Sequence, residues 1–342
     1  MRAAGSHERS GAPVPGRPND HAARGTARAA ASCLLAVACL VLALALGACA
    51  ADPFRTPETA AWRSPVELED TPFFPQEKYQ CGPAALATVL ASSGVDVRPE
   101  VLTPRVYVPE RGGSLQPEML AASRDFGRLP YVIEPNLPSL LAEVAAGRPV
   151  LVLQNLGVRF APAWHYAVVV GFSPETGEIV LRSGTQRRRV TDAGVFLRTW
   201  RRSDNWGVVL LAPGELPAVP DRRRFLGAAA AAESASHLPL AEAAYRAALE
   251  RWPDSALAAL GLGNVAYARH DLASAERWYR HALVLEPGDV IVLNNLASVL
   301  VERQRCDEAA ALVARAATLV QPDSPLAATV ADTRREVAAC RP

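Results

Sequence analysis

Hydrophobic and polar positions follow different patterns in two parts of the chain. Residues 71–214 mix short apolar runs of strand length with two helical stretches, whereas residues 222–340 are alanine-rich and helical throughout. A region that mixes strands and helices is expected to form an α+β domain, and a region of helices alone an all-α domain. The pattern therefore predicts two folded domains in this order, with the boundary near 215–222.

Two apolar runs in the first domain are predicted to be central strands. Val150–Gln154 and Trp164–Phe172 are apolar at nearly every position, so neither shows the alternation of a half-exposed strand. Strands covered on both faces of a sheet have this composition. A third run, Glu178–Gly184, is predicted to be the next strand. This arrangement places His165 at the opening of a strand inside the sheet.

The second domain repeats itself every 34 residues. The spacing holds for two sets of alanines and for one pair each of tyrosines and prolines: Ala241, Ala275, Ala309; Ala248, Ala282, Ala316; Tyr245, Tyr279; Pro253, Pro287. The pattern resembles the tetratricopeptide repeat, in which small residues lie where paired helices touch and a proline ends each unit. We expect a solenoid of two good repeats and one weak repeat, with Leu326–Cys340 as a capping helix. An unrelated alanine-rich bundle is the alternative. Because such repeats stack into a concave surface, we expect a protein partner here and no chemistry.

Residues 1–48 are predicted to be a signal peptide. A polar region with five arginines precedes the uncharged apolar stretch Ala29–Leu46, which is the order of a secretory signal. The stretch ends in Leu46-Gly47-Ala48-Cys49, which resembles a bacterial lipoprotein signal. The resemblance implies cleavage before Cys49, acylation of Cys49 (palmitate among the acyl groups), and a lipidated tether over 49–70. Ala50 then favours the outer membrane, facing the periplasm. An uncleaved membrane anchor is the alternative, because 18 apolar residues just reach the spanning length.

Charge and cysteine content narrow the classes of function. The chain has 36 basic and 35 acidic residues, so it lacks the positive charge of a nucleic-acid binder, and no nucleic-acid partner is predicted. After the predicted cleavage and acylation, Cys81, Cys306 and Cys340 remain. The last two lie in one region and are the favoured pair in an oxidising compartment. Cys81 would then be a free thiol.

Cys81 is predicted to stand at the beginning of a helix. Pro83 suits the first helical turn, and Leu86, Val89 and Leu90 form an apolar stripe after it. Unpaired amide N–H groups and the positive end of the helix dipole favour a thiolate at this position. The thiolate is the form in which a cysteine attacks a carbonyl carbon. A buried structural thiol is the alternative.

A cysteine nucleophile needs a base, and His165 is the one histidine of the first domain. An imidazole can accept the thiol proton and later return it to the leaving amine. Gln76 and Gln80 lie upstream of Cys81, where a side-chain amide can stabilise the oxyanion of a tetrahedral intermediate. The sequence contains no H-E-x-x-H, no paired C-x-x-C and no phosphate loop, so neither a metal nor a cofactor is predicted.

These motifs together resemble the papain-like double-glycine (bacteriocin-processing) cysteine peptidases, and more narrowly their lipoprotein-type members with tetratricopeptide repeats. The resemblance covers residues 71–212. It rests on Cys81-Gly82-Pro83-Ala84 after a glutamine, on Gly113-Ser114-Leu115 before a second helix, and on His165-Tyr166-Ala167-Val168 in a strand. It implies an α+β papain-like cysteine peptidase domain with Cys81 as nucleophile, His165 as general base and acid, and Gln76 as oxyanion donor. Gln76 stands five residues before the cysteine where the family commonly has six, so Gln80 stays an alternate.

The sequence departs from this family at the third catalytic residue. The family usually has an aspartate or asparagine at the end of the strand after the histidine, where this chain has Arg182 and Ser183. Ser183 can orient an imidazole through a hydrogen bond but supplies no charge to stabilise an imidazolium. Asn155 or Asp192 can serve instead if the fold brings either one to His165. The resemblance leaves this position open.

Two functions are consistent with these features. The first is a lipid-anchored periplasmic thiol protease that hydrolyses peptide bonds, with repeats that hold a peptide or protein substrate or a partner. By analogy with the family, its substrates would have small residues, such as a glycine pair, before the cleaved bond. The second is a catalytically inactive peptide-binding adaptor, which the missing acid favours. The same residues also allow a variant of the first function, in which the acyl group is transferred to an amine in place of water.

Overall fold

Nine strands and twelve helices lie within residues 52–75 and 80–340, which are the residues that the computed structural model describes. The strands are β1 Val66–Glu67, β2 Tyr107–Val108, β3 Gly113–Ser114, β4 Leu129–Val132, β5 Val150–Asn155, β6 Trp164–Ser173, β7 Glu178–Ser183, β8 Gln186–Asp192 and β9 Gly207–Leu211. The helices are α1 Cys81–Ser92, α2 Pro99–Val106, α3 Gln116–Asp125, α4 Leu137–Ala145, α5 Ala193–Arg201, α6 Arg222–Ser234, α7 Leu238–Arg251, α8 Ala256–Ala268, α9 Leu272–Leu285, α10 Val290–Glu302, α11 Cys306–Leu319 and α12 Leu326–Cys340. A short 3₁₀ turn, Pro109–Arg111, joins β2 to β3. None of these helices combines the length and the apolar character that crossing a bilayer requires. The predicted signal peptide over 1–48 and the lipidation site Cys49 lie outside the described residues.

An antiparallel sheet forms the centre of the first domain. Its strand order is β4-β9-β5-β6-β7-β8, and β1 pairs with β6 beside this path. All of β5 and most of β6 are buried, because helices cover both faces of the sheet at these two strands. The prediction that the two apolar runs are central strands is confirmed.

Alternate residues of the central strands face two different hydrophobic layers. Leu151 and Val168 pack with α1, α2 and α3 on one face. Val152 and Val169 pack with α4, α5 and the first helices of the second domain on the other face. The first domain is therefore an α+β fold with a helical layer on each side of its sheet, as the sequence predicts.

Helices α6 to α12 form the second domain, and each helix packs on the next one along the chain. The rings of the two repeated tyrosines require glycine at two positions of α8. A Cβ atom at Gly261 would lie 2.2 Å from the ring of Tyr245, and one at Gly263 would lie 2.3 Å from the ring of Tyr279. Each ring therefore lies against the bare backbone of α8. The alanines of the 34-residue period are fully buried where the helices touch, and the predicted repeat solenoid is confirmed. The predicted capping segment forms helix α12.

The two domains share one hydrophobic core. The ring of Tyr131 on β4 lies 6.4 Å from the ring of Phe225 on α6, and both side chains are fully buried. The Tyr131 hydroxyl also accepts a hydrogen bond from the backbone N–H of Asp221 at 3.3 Å. The first repeat helix is thus packed directly onto an edge strand of the sheet.

The segment before β1 packs on the first domain. Phe54 is 5% exposed, and its ring stacks on Phe172 of β6 with ring centroids 6.2 Å apart. Val66 pairs with Phe172 in the antiparallel ladder of β1 and β6. The predicted tether over 49–70 is therefore wrong for residues 52–70, because an aromatic side chain and a short strand hold this segment on the sheet.

A disulfide bond closes the C-terminal end of the solenoid. It joins Cys306 at the start of α11 to Cys340 at the end of α12, with a Cα–Cα distance of 5.8 Å. Cys81 is the one free cysteine among the described residues. The favoured cysteine pairing is confirmed.

Candidate active site

Cys81 is the first residue of α1, as the sequence predicts. The helix begins after Gln80, whose side chain makes no capping hydrogen bond, so the first amide N–H groups of the helix have no side-chain partner at this end. The Cys81 side chain is half-buried and lies at the edge of the hydrophobic layer that α1 forms with the sheet. The sulfur is thus held by a buried helix at a point that a substrate can reach.

Gly82 lets the beginning of α1 approach the β2–β3 hairpin closely. A Cβ atom at Gly82 would lie 2.2 Å from Ser114 Oγ and 2.6 Å from Ser114 Cβ. Ser114 Oγ is buried and has no hydrogen-bond partner among the described residues. The hairpin therefore holds a polar side chain against Gly82, the residue that follows the predicted nucleophile. The sequence places Ser114 before a second helix but contains no sign of this contact.

His165 lies at the beginning of β6, and its ring is held by Ser183 at the end of β7. The distance from His165 Nε2 to Ser183 Oγ is 2.8 Å. When Nε2 carries the proton, it donates this hydrogen bond to the serine oxygen, and the lone pair of Nδ1 is left to accept a proton. The structure thus makes Ser183 the hydrogen-bond partner of the imidazole.

The environment of His165 disfavours its charged form. Burial, and to a smaller degree the positive charge of Arg189, lowers the pKa of His165 from 6.5 to about 4. Ser183 is neutral and cannot offset these two effects. The imidazole is therefore uncharged at neutral pH, so it is free to accept a proton, but its low pKa makes it a weak base. Nothing in the sequence alone connects Arg189 on β8 with His165.

The other candidates for the third residue are engaged elsewhere. Asn155 Oδ1 accepts hydrogen bonds from the backbone N–H groups of Gly157 and Ala163, both at 3.0 Å, within the loop between β5 and β6. Asp192 caps α5 by accepting the backbone N–H of Val195 at 2.8 Å. Both side chains stabilise local backbone conformations, so neither one is the hydrogen-bond partner of the imidazole.

Arg182 precedes Ser183 and is buried, and its guanidinium is hydrogen-bonded to the backbone. Its guanidinium donates to the backbone oxygens of Leu68, Glu69 and Thr71 and to that of Arg187, at distances from 2.8 to 3.3 Å. These bonds hold the chain that leads from β1 toward the residues before Cys81. Arg182 therefore stabilises the backbone conformation of these segments, and this role is structural.

Cys81 and His165 line one open cavity of about 900 Å³. The β2–β3 hairpin contributes Gly113 and Ser114 to its wall, and Tyr166 also lines it. Trp164 belongs to the same wall and is 55% exposed. The cavity is large enough to hold several residues of an extended peptide.

Only one of the two candidate glutamines lies among the described residues. Gln76 lies outside the described residues, so its predicted role as oxyanion donor stays a prediction. Gln80 is described, and it is the residue immediately before α1.

The repeats present a second groove, of about 490 Å³. Three consecutive helices, α7, α8 and α9, line it with Glu242, Arg246, Arg269 and Trp278 among other residues. The guanidinium of Arg246 lies over the Trp278 ring at 5.9 Å from its centroid. Charged and aromatic side chains in a groove between repeats are typical of a surface that binds a peptide.

Comparison with families of known proteins finds a match in the first domain. Residues 68–207 match the model of the Peptidase_C39-like family. This range includes Cys81, His165 and Ser183, and it confirms the resemblance that the motifs of residues 71–212 indicate. No curated protein matches the chain.

Three solved structures are similar to parts of the chain. A C39-like peptidase from Bacillus anthracis is 15% identical over 43% of this chain and 98% of its own, with a TM-score of 0.37. YrrB, a tetratricopeptide-repeat protein with an unusual peptide-binding site, is 25% identical over 35% of this chain, with a TM-score of 0.31. The chain spans 58% of the length of YrrB. The Yersinia enterocolitica secretion chaperone SycD, in complex with a peptide of the translocator YopD, is 15% identical over 35% of this chain and 91% of its own, with a TM-score of 0.33.

Proposed function

We propose that the first domain is a cysteine peptidase that cleaves peptide bonds with Cys81 and His165. One observation carries the proposal: the free thiol at the start of α1 and an imidazole fixed through Nε2 line the same open cavity, within a segment that matches the Peptidase_C39-like family. A nucleophile and a base that face one accessible cavity are the minimum that acyl transfer to a thiol requires.

The proposed reaction uses a neutral imidazole. Nδ1 of His165 takes the thiol proton while the Cys81 sulfur attacks the carbonyl carbon of the substrate. The same proton then passes to the amine as the C–N bond breaks, which leaves a thioester on Cys81. Water attacks the thioester, gives a proton to His165 and releases the acid, and the thiol is restored. Ser183 keeps the ring in the required orientation by accepting the hydrogen bond from Nε2.

The beginning of α1 supplies the proposed oxyanion site. The backbone N–H of Cys81 has no partner within the helix and lies next to the attacking sulfur. A side-chain amide, from Gln76 or from Gln80 as the alternate, would be the second donor. Removing one such donor typically slows catalysis by a factor of about 100 or more.

A peptide-binding adaptor without activity is the second candidate function. Ser183 and Arg189 favour it, because a base with a pKa of about 4 and no neighbouring carboxylate is weak. In this case the cavity would hold a peptide without cleaving it. Hydrolysis and binding share every other residue, so the reactivity of the thiol separates them.

The proposal is tested on purified residues 50–342 by the rate at which iodoacetamide or a peptidyl electrophile alkylates Cys81. Alkylation at neutral pH faster than that of an isolated cysteine is expected, with complete loss in Cys81→Ala and a strong decrease in His165→Ala. His237→Ala, which changes a histidine of the repeat domain, is the matched control and should be unaffected. If His165→Ala alkylates at the wild-type rate, the two residues do not act together.

We also propose that the protein is anchored by a lipid on Cys49 in the outer membrane and faces the periplasm, where the repeats hold a substrate or partner protein. The Cys306–Cys340 disulfide supports an oxidising compartment. Fatty-acid labelling of the wild type and of Cys49→Ser in cells tests the anchor. Label that is retained in the variant would contradict it.

A further inference from the structure

The candidate catalytic cavity continues into a basic groove. A second cavity, of about 540 Å³, shares four of its lining residues with the cavity that holds the thiol: Pro162, Trp164, Arg202 and Asp204. Arg159 and Arg201 complete its charged wall. We propose that this groove binds acidic side chains of the peptide substrate, next to the bond that Cys81 cleaves. The inference rests on the proposed peptidase function and names a substrate class for it.

The three arginines reach the groove from two elements that are tied together. Arg201 ends α5 and Arg202 follows it, whereas Arg159 lies in the loop between β5 and β6. Arg202 Nη1 donates to the backbone oxygen of Gly157 at 2.6 Å and thereby fixes this loop against the helix. Asn155 fixes the same loop from within through its two backbone hydrogen bonds. The loop that carries Arg159 is therefore held in a fixed position next to Arg201 and Arg202.

The charge of the groove is not balanced by its own residues. Arg159 and Arg201 are exposed and form no ion pair with any described residue, and Asp204 is the one acidic side chain among the described residues that line either cavity. Arg111 adds a further positive charge on the hairpin side of the catalytic cavity. Four arginines thus face one aspartate, in a chain whose overall charge is +1. An extended peptide with carboxylate side chains matches this distribution.

Exposed apolar residues beside the arginines extend this surface. Trp164 is 55% exposed on the wall that both cavities share, and Phe160 is 91% exposed on the loop. An anionic membrane would also attract arginines and exposed aromatic rings. The concave shape of the groove and its continuity with the thiol favour a peptide, because a flat bilayer does not enter a cleft. Vesicle binding is therefore the competing outcome of the test.

The test compares pairs of quenched fluorescent peptides that contain a Gly-Gly pair before the expected cleavage point and differ only by glutamate or glutamine at each of three positions on either side of that pair. At low salt, the wild type should cleave the best glutamate peptide with a kcat/KM about five to ten times that of its glutamine partner. In 1 M NaCl the ratio should fall below about two, because exposed charges are screened. The double variant Arg159→Gln/Arg201→Gln should lose the preference, so that its kcat/KM values for the two peptides of a pair become equal. Arg315→Gln/Arg334→Gln, which removes two exposed arginines of the repeats, is the matched control.

Binding measurements separate this inference from the proposed function. Fluorescence polarisation with Cys81→Ala should show the same glutamate preference, and it does not depend on cleavage. If no peptide is cleaved but Cys81→Ala prefers glutamate through Arg159 and Arg201, the groove assignment holds and the peptidase proposal fails. Peptides cleaved without a charge preference would overturn the groove assignment alone. It would also be overturned if the double variant lost only its binding to phosphatidylglycerol vesicles.

Discussion

Nε2 of His165 lies 2.8 Å from the hydroxyl oxygen of Ser183, so a neutral group holds the imidazole of the candidate active site. The peptidase family that the sequence resembles usually has an aspartate or an asparagine there, and a carboxylate would also stabilise the imidazolium. In this chain the hydroxyl orients the ring without adding charge, while burial and Arg189 act against protonation. The pair therefore favours a base that stays neutral until the thiol gives up its proton.

The first prediction concerns Ser183. In Ser183→Ala, His165 loses the partner of Nε2, and the alkylation rate of Cys81 should decrease about three- to tenfold, the effect of one ordinary hydrogen bond. In Ser183→Asp, a carboxylate beside the ring should raise the pKa of His165, and the rate at neutral pH should increase about tenfold. Rates measured from pH 4 to 8 should show the acid limb of Ser183→Asp at higher pH than that of the wild type. A pH profile identical in all three proteins would show that Ser183 does not act on His165.

The second prediction concerns stability at low pH. The pKa of His165 is about 4 in the fold against an ordinary value of 6.5, which the side chain regains on unfolding, so the unfolded chain binds its proton first as the pH falls. The wild type should therefore lose stability between about pH 6.5 and pH 4, by about 3 kcal/mol from this group, and no further below that range. Urea unfolding of the wild type and of His165→Gln at several pH values isolates the effect, because other groups contribute equally to both. Parallel pH dependences would contradict the prediction.

The third prediction concerns Gly82. A methyl group there collides with Ser114, so Gly82→Ala should destabilise the fold by about 1–3 kcal/mol and slow the alkylation of Cys81 by displacing the beginning of α1. The double variant Gly82→Ala/Ser114→Gly removes the two atoms that the methyl group meets and should recover most of the loss. Thermal unfolding and thiol alkylation measure both effects. Failure of the second substitution to compensate would show that another contact requires the glycine.

The fourth prediction compares two neighbouring arginines. Arg182→Met leaves the backbone carbonyls of Leu68, Glu69 and Thr71 without their buried donor and should cost about 2–4 kcal/mol of stability. Arg188→Met breaks an ion pair with Glu67 in which the arginine is 57% exposed, and it should leave the free energy of unfolding nearly unchanged. Urea unfolding of both variants tests the difference. Equal losses would mean that burial of the guanidinium does not set the cost.

The fifth prediction concerns the disulfide at the end of the solenoid. It closes a loop of 34 residues, so its reduction should lower the free energy of unfolding by about 3–4 kcal/mol. The experiment uses a Cys81→Ala background, so that the remaining thiol chemistry is confined to the disulfide. The variant Cys306→Ser/Cys340→Ser should match the reduced protein and show no response to reductant. A response to reductant in that variant would have to come from elsewhere in the chain.

The sequence was sufficient for the architecture because the relevant patterns are local. The 34-residue period, the two apolar runs and the start of α1 at Cys81 each follow from residues near in the chain. The resemblance to a peptidase family further predicts that helix α1 packs against the strand that carries His165. Ser183 could be named as a candidate because it ends the strand next to that histidine.

The remaining features depend on contacts between distant residues. Arg189 approaches His165 because β7 and β8 form a hairpin, and Phe54 joins the core because β1 adds to β6. Proline and acidic residues around Phe54 suggested a tether, and nothing in that composition indicates a ring stacked on Phe172. The basic groove likewise joins a loop to the end of a helix about 40 residues later, a juxtaposition that only the fold creates.

The packing of Tyr131 against Phe225 has a consequence for how far apart recognition and cleavage take place. Because the sheet and the first repeat helix share one core, no flexible hinge separates them, and the distance from the repeat groove to Cys81 is fixed. Under the proposed function, a protein bound to the repeats would be cleaved at a fixed number of residues from its bound segment.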